Sequence, residues 1–385
     1  MIKSIRIRNF KSLGDVELQL AKFTCLIGMN GAGKSSVLQA VDFISQLMIG
    51  RVEDWLEARG WSAADLNCKV RKESNVTVGV HFETSTGKSL KWLGAFNRSM
   101  LHCTAELIEQ GTEKVFRVGN QKYTVGDKPA QEIAFTYQGS LLSALKDSEL
   151  TPELLEFRNA LQGIKSLELL SPQLLRKRAR STEKSIGSGG EKLSAYLDTL
   201  PQTAKASLIE QLQRFYPNLV DFKVSSLRSG WKKLTVLEQF SQQMLETDAA
   251  HLNDGLLRIL AVLTQAASDQ SLILLDEIEN GINQEVIETL VDTLVASPHQ
   301  LLVTTHSPLI LNYLDDDVAR GAVQFIYKAP LGETRVRPFF KIPRINDKLR
   351  TMGPGDAFVD TDLKQLTKEC LKLDFEDGII TVDDL

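Results

Sequence analysis

Cysteine is scarce. The four present, Cys25, Cys68, Cys103 and Cys370, form no C-x-x-C pair, so a zinc ribbon or dithiol redox site is excluded. They read as reduced core thiols of a cytoplasmic chain. No apolar run is long enough to cross a bilayer. Charge from Lys3 onward leaves no apolar segment of a secretory leader. Excess positive charge is missing too. With a net charge of −4, no global field gathers nucleic acid, and any such contact must come from a local patch. There is no internal repeat, no low-complexity linker and no heptad pattern sustained over several turns, which excludes solenoids and long coiled coils. What remains is 385 residues, 43% apolar and 24% charged. That is enough for a sizeable core in about two domains or one large α/β unit.

What is present centres on Gly28-Met-Asn-Gly-Ala-Gly-Lys-Ser35, which satisfies G-x-x-x-x-G-K-[ST] at every fixed position. The apolar run Phe23 to Ile27 before it reads as a buried parallel strand. Val37, Val41, Ile44 and Met48 after it mark one stripe of a helix. Glycines let backbone amides curl around phosphate oxygens, and the helix aims its positive end at the same point. The expected nucleotide-binding set is Asn30, Gly31, Ala32, Gly33, Lys34, Ser35 and Ser36. Lys34 would reach the β- and γ-phosphates, and the Ser35 hydroxyl would ligate Mg²⁺.

Read in order, the chain opens with two alternating strands around a turn at Asn9-Phe10-Lys11-Ser12. Residues 50–75 look polar and irregular, and 76–139 an antiparallel meander, together a β-rich insertion over about 50–140. A helical lobe is expected over 141–215. Within it Arg176, Lys177, Arg178 and Arg180 form a basic run that could hold a nucleic-acid backbone, although a solvated helix end is the plainer reading. Gly187-Ser-Gly-Gly190 is a weak second candidate for a phosphate-facing turn. A hairpin over about 221–238 precedes His251-Leu-Asn-Asp-Gly255, with Asn253 or Asp254 as the cap of an apolar helix. Strand, helix and strand follow, with Asp276-Glu277 ending the first strand and His306 just after the second. Helix and strand at this spacing imply a parallel sheet with its ligand at the carboxyl ends of the strands. Another hairpin occupies about 323–338. A small helical appendage, acidic at its end, is expected over 341–385.

Hydrolysis of a γ-phosphate is mostly positioning and charge stabilisation. Asp276 suits the Mg²⁺ shared with Ser35, Glu277 suits the base that orients water, and His306 suits a γ-phosphate donor. Lys34 completes the catalytic set.

Five stretches together carry a resemblance: Ile5 to Ser12, Ile27 to Ser35, Leu252 to Arg258, Leu274 to Gly281 and Val303 to Pro308. In this order, over about residues 1–340, the chain resembles the ATP-binding-cassette ATPases of the chromosome-maintenance and DNA-repair branch. That group includes RecF and the overcoming-lysogenisation ATPases, and within it the likeness is to short RecF-like ATPases of the AAA type. The resemblance implies an α/β fold, a phosphate-loop ATPase head with a mixed, largely parallel core sheet, an N-terminal antiparallel β-subdomain and a helical signature lobe. It implies ATP and Mg²⁺ as cofactors and a homodimer closed around the nucleotide. Asn253, Asp254 and Gly255 would then be the signature that grips the γ-phosphate of the second copy, with Asn where relatives carry Ser. Glu279-Asn280-Gly281 would cross that interface, Asn9 and Lys11 would lie near the nucleotide, and Arg59-Gly60 near its γ-phosphate. A separate nuclease or toxin would be the effector, acting on nucleic acid or against phages. The alternatives are the ATPase subunit of a transporter and a DNA-end-binding repair ATPase.

Overall fold

The computed structural model describes residues 1–180, 185–268 and 270–378. The chain forms two compact units, Met1–Lys165 with Asp316–Leu385, and Ser166–Asp315.

The first unit begins with β1 (Ile2–Phe10), β2 (Leu13–Gln19) and β3 (Phe23–Ile27). All five residues of β3 are buried, as a strand covered on both faces requires. The helices α1 (Lys34–Ile49) and α2 (Val52–Ala58) follow, so the stretch expected to be irregular contains a helix. Its Trp55 indole donates to Asp42 of α1 at 2.7 Å, and Arg59 pairs with the same carboxylate at 2.6 Å. Next come β4 (Asn75–Glu83), β5 (Ser89–Asn97), β6 (His102–Gln110), β7 (Glu113–Gly119), β8 (Lys122–Val125) and β9 (Gln131–Glu132). Each pairs antiparallel with the next, which is the expected meander. It is not a separate insertion, because β4 pairs with β1 from Ile2 opposite Phe82 to Arg8 opposite Thr77. Alternation on β4 buries Val76, Val78, Val80 and Phe82. The helix α3 (Pro152–Gln162), capped by Thr151, and the short strand β10 (Ile164–Ser166) close this part.

The second unit contains α4 (Pro172–Leu175), α5 (Leu193–Thr199), α6 (Gln202–Gln213), a three-stranded sheet of β11 (Leu219–Ser226), β12 (Lys232–Phe240) and β13 (Gln243–Asp248), and then α7 (Asp254–Ala266), β14 (Leu272–Leu275), α8 (Ile287–Val295), β15 (Gln300–Thr304) and α9 (Pro308–Asn312). The expected lobe over 141–215 is therefore divided between the two units, since α3 packs on α1 in the first. β14 and β15 are parallel, with Leu275 opposite Val303.

The chain returns to the first unit with α10 (Asp316–Ala322), β16 (Val323–Lys328), β17 (Thr334–Pro338), α11 (Pro343–Lys348), α12 (Pro354–Val359) and α13 (Leu363–Glu376). β16 runs parallel to β3, with Phe325 opposite Ile27. It pairs antiparallel with β17, giving a mixed sheet. The C-terminal helices are not an appendage. Asp374 of α13 is buried and accepts from Tyr327 at 2.7 Å and from Arg337 at 2.8 Å. The acidic end at Asp383-Asp384 lies outside the described residues. All four cysteines are buried and outside any disulfide, and among the described residues no helix is long and apolar enough to cross a membrane.

Candidate functional site

In the first unit, β3 delivers the chain to the phosphate loop and α1 leaves it. Gly28, Gly31 and Gly33 hold φ of 149°, 74° and 113°, values an L side chain resists. Gly33 also has no room: a Cβ there would lie 2.1 Å from Thr334 Oγ1. Gly33 is the N-cap of α1 and offers no capping side chain, and the first turn carries no acid. The helix therefore presents its amide end unneutralised, which is the arrangement that receives an anion. Lys34 is buried and donates to Gly28 O at 2.9 Å, so its ammonium lies across the loop. Asn30, Gly31 and Ser35 are exposed at the tip, with Ala32 buried beneath them.

A neighbouring strand braces the loop. Thr334 Oγ1 donates to Ala32 O at 2.8 Å and meets Ser12 Oγ at 2.8 Å, and the Thr334 amide donates to Ser12 O at 2.7 Å. Beside it lies a cleft of about 660 Å³ bounded by Lys11, Ser12, Ser36, Gly60 and Trp61. Lys11 stands 3.0 Å above the Trp61 ring and bonds Gln39 at 2.8 Å. Lys11 and Ser36 are thus at hand for a nucleotide, but Asn9 is not. It is fully buried, its amide donates to Glu73 O and Asn75 O, and its side-chain oxygen accepts from the Cys68 amide. Asn9 fastens the 68–75 loop and has no donor left for a ligand. Arg59 is likewise committed to Asp42, with 6% of its side chain exposed. The loop and its flanks fit a nucleoside triphosphate: a glycine cradle, an uncapped helix end and a cation on one side of it.

In the second unit, β14 ends in Asp276 and Glu277. The parallel register sets Thr304 of β15 opposite Asp276, and the Thr304 hydroxyl donates to Asp276 Oδ1 at 2.5 Å. The same hydroxyl accepts from the Glu277 amide at 2.8 Å. Glu277 holds φ of 47°, strain that is tolerated when the surroundings fix it. Arg258 of α7 helps to fix it by donating to Asp276 O at 2.7 Å and Glu277 O at 2.8 Å. Burial pulls Arg258 below its ordinary value, against the pull of Glu279, Glu277 and Asp276. His306 Nε2 and Glu277 Oε1 stand 3.7 Å apart. Glu279 accepts from the His306 amide at 2.8 Å, the Ser307 amide at 3.1 Å and the Thr305 hydroxyl at 2.9 Å. Its carboxylate thus binds the turn that carries His306.

Asn253, not Asp254, caps α7: its Oδ1 accepts from the Leu256 amide at 2.7 Å. Asp254 pairs with Arg176, whose guanidinium also donates to Leu252 O at 2.7 Å. Gly255 packs against the 279–281 loop, where a Cβ would come 3.0 Å from Gly281 O. The basic run begins at the C-terminal cap of α4, Arg176. After α4 it extends, and Ala179 bridges to Lys232 of β12. Arg176 is spent on α7, while Lys177, Arg178 and Arg180 are exposed. The Gly187–Gly190 turn is closed by its own chain, because the Gly189 amide donates to Glu191 at 3.0 Å. Among the described residues no cluster of three or more His, Cys, Asp or Glu is arranged to hold a metal by itself.

Residues 23–312 match the family described as "AAA domain, putative AbiEii toxin, Type IV TA system". The chain belongs to that AAA-domain family. One curated relative, the OLD nuclease of Thermus scotoductus, is 31% identical over 83 residues, which is 22% of this chain and 15% of that protein. The match thus spans a small part of the relative. Among solved structures, an Smc head bound to the C-terminal winged-helix domain of ScpA aligns at TM-score 0.55 and 15% identity, over 87% of this chain and 97% of that one. The Pyrococcus furiosus Smc head with an extended coiled coil aligns at 0.52 and 13%, over 91% and 99%. The fold of this AAA-family chain is that of an Smc-type ATPase head.

Sequence reasoning overlooked Thr304, Arg258, Thr334 and Trp61, and it placed Glu279 only on an interface loop. The signal for Thr304 is a hydroxyl closing β15 one residue beyond the pairing of Leu275 with Val303.

Proposed function

We propose that this chain binds and hydrolyses ATP with Mg²⁺, and that two copies close on the nucleotide as a switch. The observation that carries the reading is the phosphate loop itself: a buried strand, three left-handed glycines, an uncapped helix end and the Lys34 ammonium beside it. Membership in the AAA-domain family supports nucleotide use.

On this reading Lys34 and the loop amides of Asn30 to Ser36 take the phosphates, and Lys11 flanks them. Ser35 and Asp276 would hold the Mg²⁺, which would supply positive charge to offset that of the phosphates. Glu277 orients and deprotonates the attacking water. His306, with its turn bound by Glu279, donates toward the γ-phosphate. Asn253, Asp254 and Gly255 of a second copy complete the pocket. The Arg176–Asp254 pair serves this arrangement, because an unpaired carboxylate at that helix end would repel a triphosphate. The effector is a separate nuclease or toxin, in antiphage defence or another nucleic-acid transaction. The names of the family and of the OLD relative print a toxin and a nuclease and support a link to such an activity, which we assign to a separate chain. We place the complex in the cytoplasm, away from the membrane.

The decisive experiment uses Glu277→Gln, which should still bind ATP and no longer turn it over. Light scattering should report a dimer with ATP and Mg²⁺ and a monomer without them. A variant that binds ATP yet stays monomeric at high concentration would overturn the switch.

A further inference from the structure

We propose that the second unit carries a binding cleft for single-stranded nucleic acid, built on Trp231. The β11–β12 hairpin turns through Ser229 and Gly230, both in the left-handed region, and the Leu227 amide closes it on Trp231 O at 2.7 Å. The tip therefore holds Arg228 and Trp231 out from the sheet. The extended basic segment docks beside it, with the Lys232 amide donating to Ala179 O at 2.8 Å. Between them lies a cleft of about 660 Å³ lined by Lys177, Arg178, Leu227, Arg228 and Trp231. Arg180 stacks over the Trp231 ring at 4.8 Å.

Three observations fix the chemistry of the occupant. Trp231 is 39% exposed, although a tryptophan gains by burial; a flat aromatic face in a cationic cleft is a stacking platform for a base. Lys177, Arg178, Arg180 and Arg228 are exposed and form no ion pair with another described residue, although Arg178 is near enough to Asp248 to help lower its carboxyl. The nearby carboxylates are taken, Asp248 by Lys233 at 3.0 Å and Asp198 by Lys232 at 2.5 Å. Finally, the chain as a whole is acidic, so this charge is local and not part of a general basic surface. A duplex keeps its base faces stacked inside and would leave Trp231 only a groove edge, whereas a single strand offers both phosphates and free base faces. The cleft lies wholly within one unit.

The test is fluorescence anisotropy of a labelled oligothymidylate with the full chain at about 50 mM salt, with and without ATP. Single strand should bind in preference to duplex of the same length. Trp231→Ala should weaken binding about tenfold, and Trp231→Phe should retain most of it. Arg178→Ala and Arg228→Ala should each lower the slope of log K against log salt by about 0.7. The exposed Lys91→Ala, in the other unit, should change nothing. Thermal melts equal to the parent identify variants that are folded, and Arg228 on the exposed turn gives a second measure should Trp231→Ala not fold. Failure to bind with or without ATP, equal binding of duplex, indifference to both Trp231→Ala and Arg228→Ala, or equal competition by polyglutamate would each overturn the proposal.

Discussion

Thr304 gives its hydroxyl proton to Asp276 across 2.5 Å and takes the Glu277 amide proton across 2.8 Å. One side chain on β15 thereby fixes both acidic residues at the end of β14. Replacing it by valine keeps the shape and removes both bonds, leaving two polar groups to lose about 1–3 kcal/mol each if they find no water. Thr304→Val should lower ATP turnover at least tenfold with nucleotide affinity little changed, and Thr304→Ser should restore it. Phosphate release and a binding isotherm measure the two effects separately.

Glu279 holds the turn of His306 through two backbone amides and a hydroxyl. Bonds from amides to a carboxylate are strong for their size. Glu279→Gln turns one oxygen into a donor facing donors. Turnover should fall several-fold while binding of ATP is retained. A variant with parental turnover would show that the turn needs no such anchor.

Gly33 faces two separate obstacles to a side chain. Gly33→Ala would set a methyl 2.1 Å from Thr334 Oγ1 and require an L residue at φ 113°. Shortening Thr334 to alanine relieves only the first, and the backbone strain of about 1–3 kcal/mol stays. Affinity for a fluorescent ATP analogue should drop tenfold or more in Gly33→Ala and should not recover in the double variant. Gly31→Ala, whose methyl would meet nothing within 4 Å, should be milder.

Glu106 is buried, accepting from Trp92 at 3.0 Å, Ser140 at 2.5 Å and the Leu141 amide at 2.7 Å. Burial outweighs these donors and pushes its carboxyl up to about 7. Between the ordinary value near 4.5 and about 7, the folded chain holds a proton that the unfolded chain has lost. The associated stability is complete below the lower value and is lost as pH rises through the upper one. The melting temperature of the parent should therefore fall by a few degrees from pH 5 to 7.5 relative to Glu106→Gln. Parallel curves would show that the carboxylate stays charged.

The sequence by itself determined what neighbours in the chain can decide. The phosphate loop, its strand and its helix stripe, the cap of α7, the acidic end of β14 and the alternation in the meander are all written in consecutive residues, because hydrogen bonding and periodicity there are local. Only the tertiary structure decided which side chains were already engaged. Asn9 and Arg59 looked available and are held by the 68–75 loop and by Asp42, while Arg176 left the basic run for Asp254. It also joined β4 to β1, drew α13 onto Tyr327 and brought Trp231 beside Arg180. Those pairings link residues tens of positions apart. Burial and charge choose among such partners only once the sheets have formed, and no local pattern records that choice.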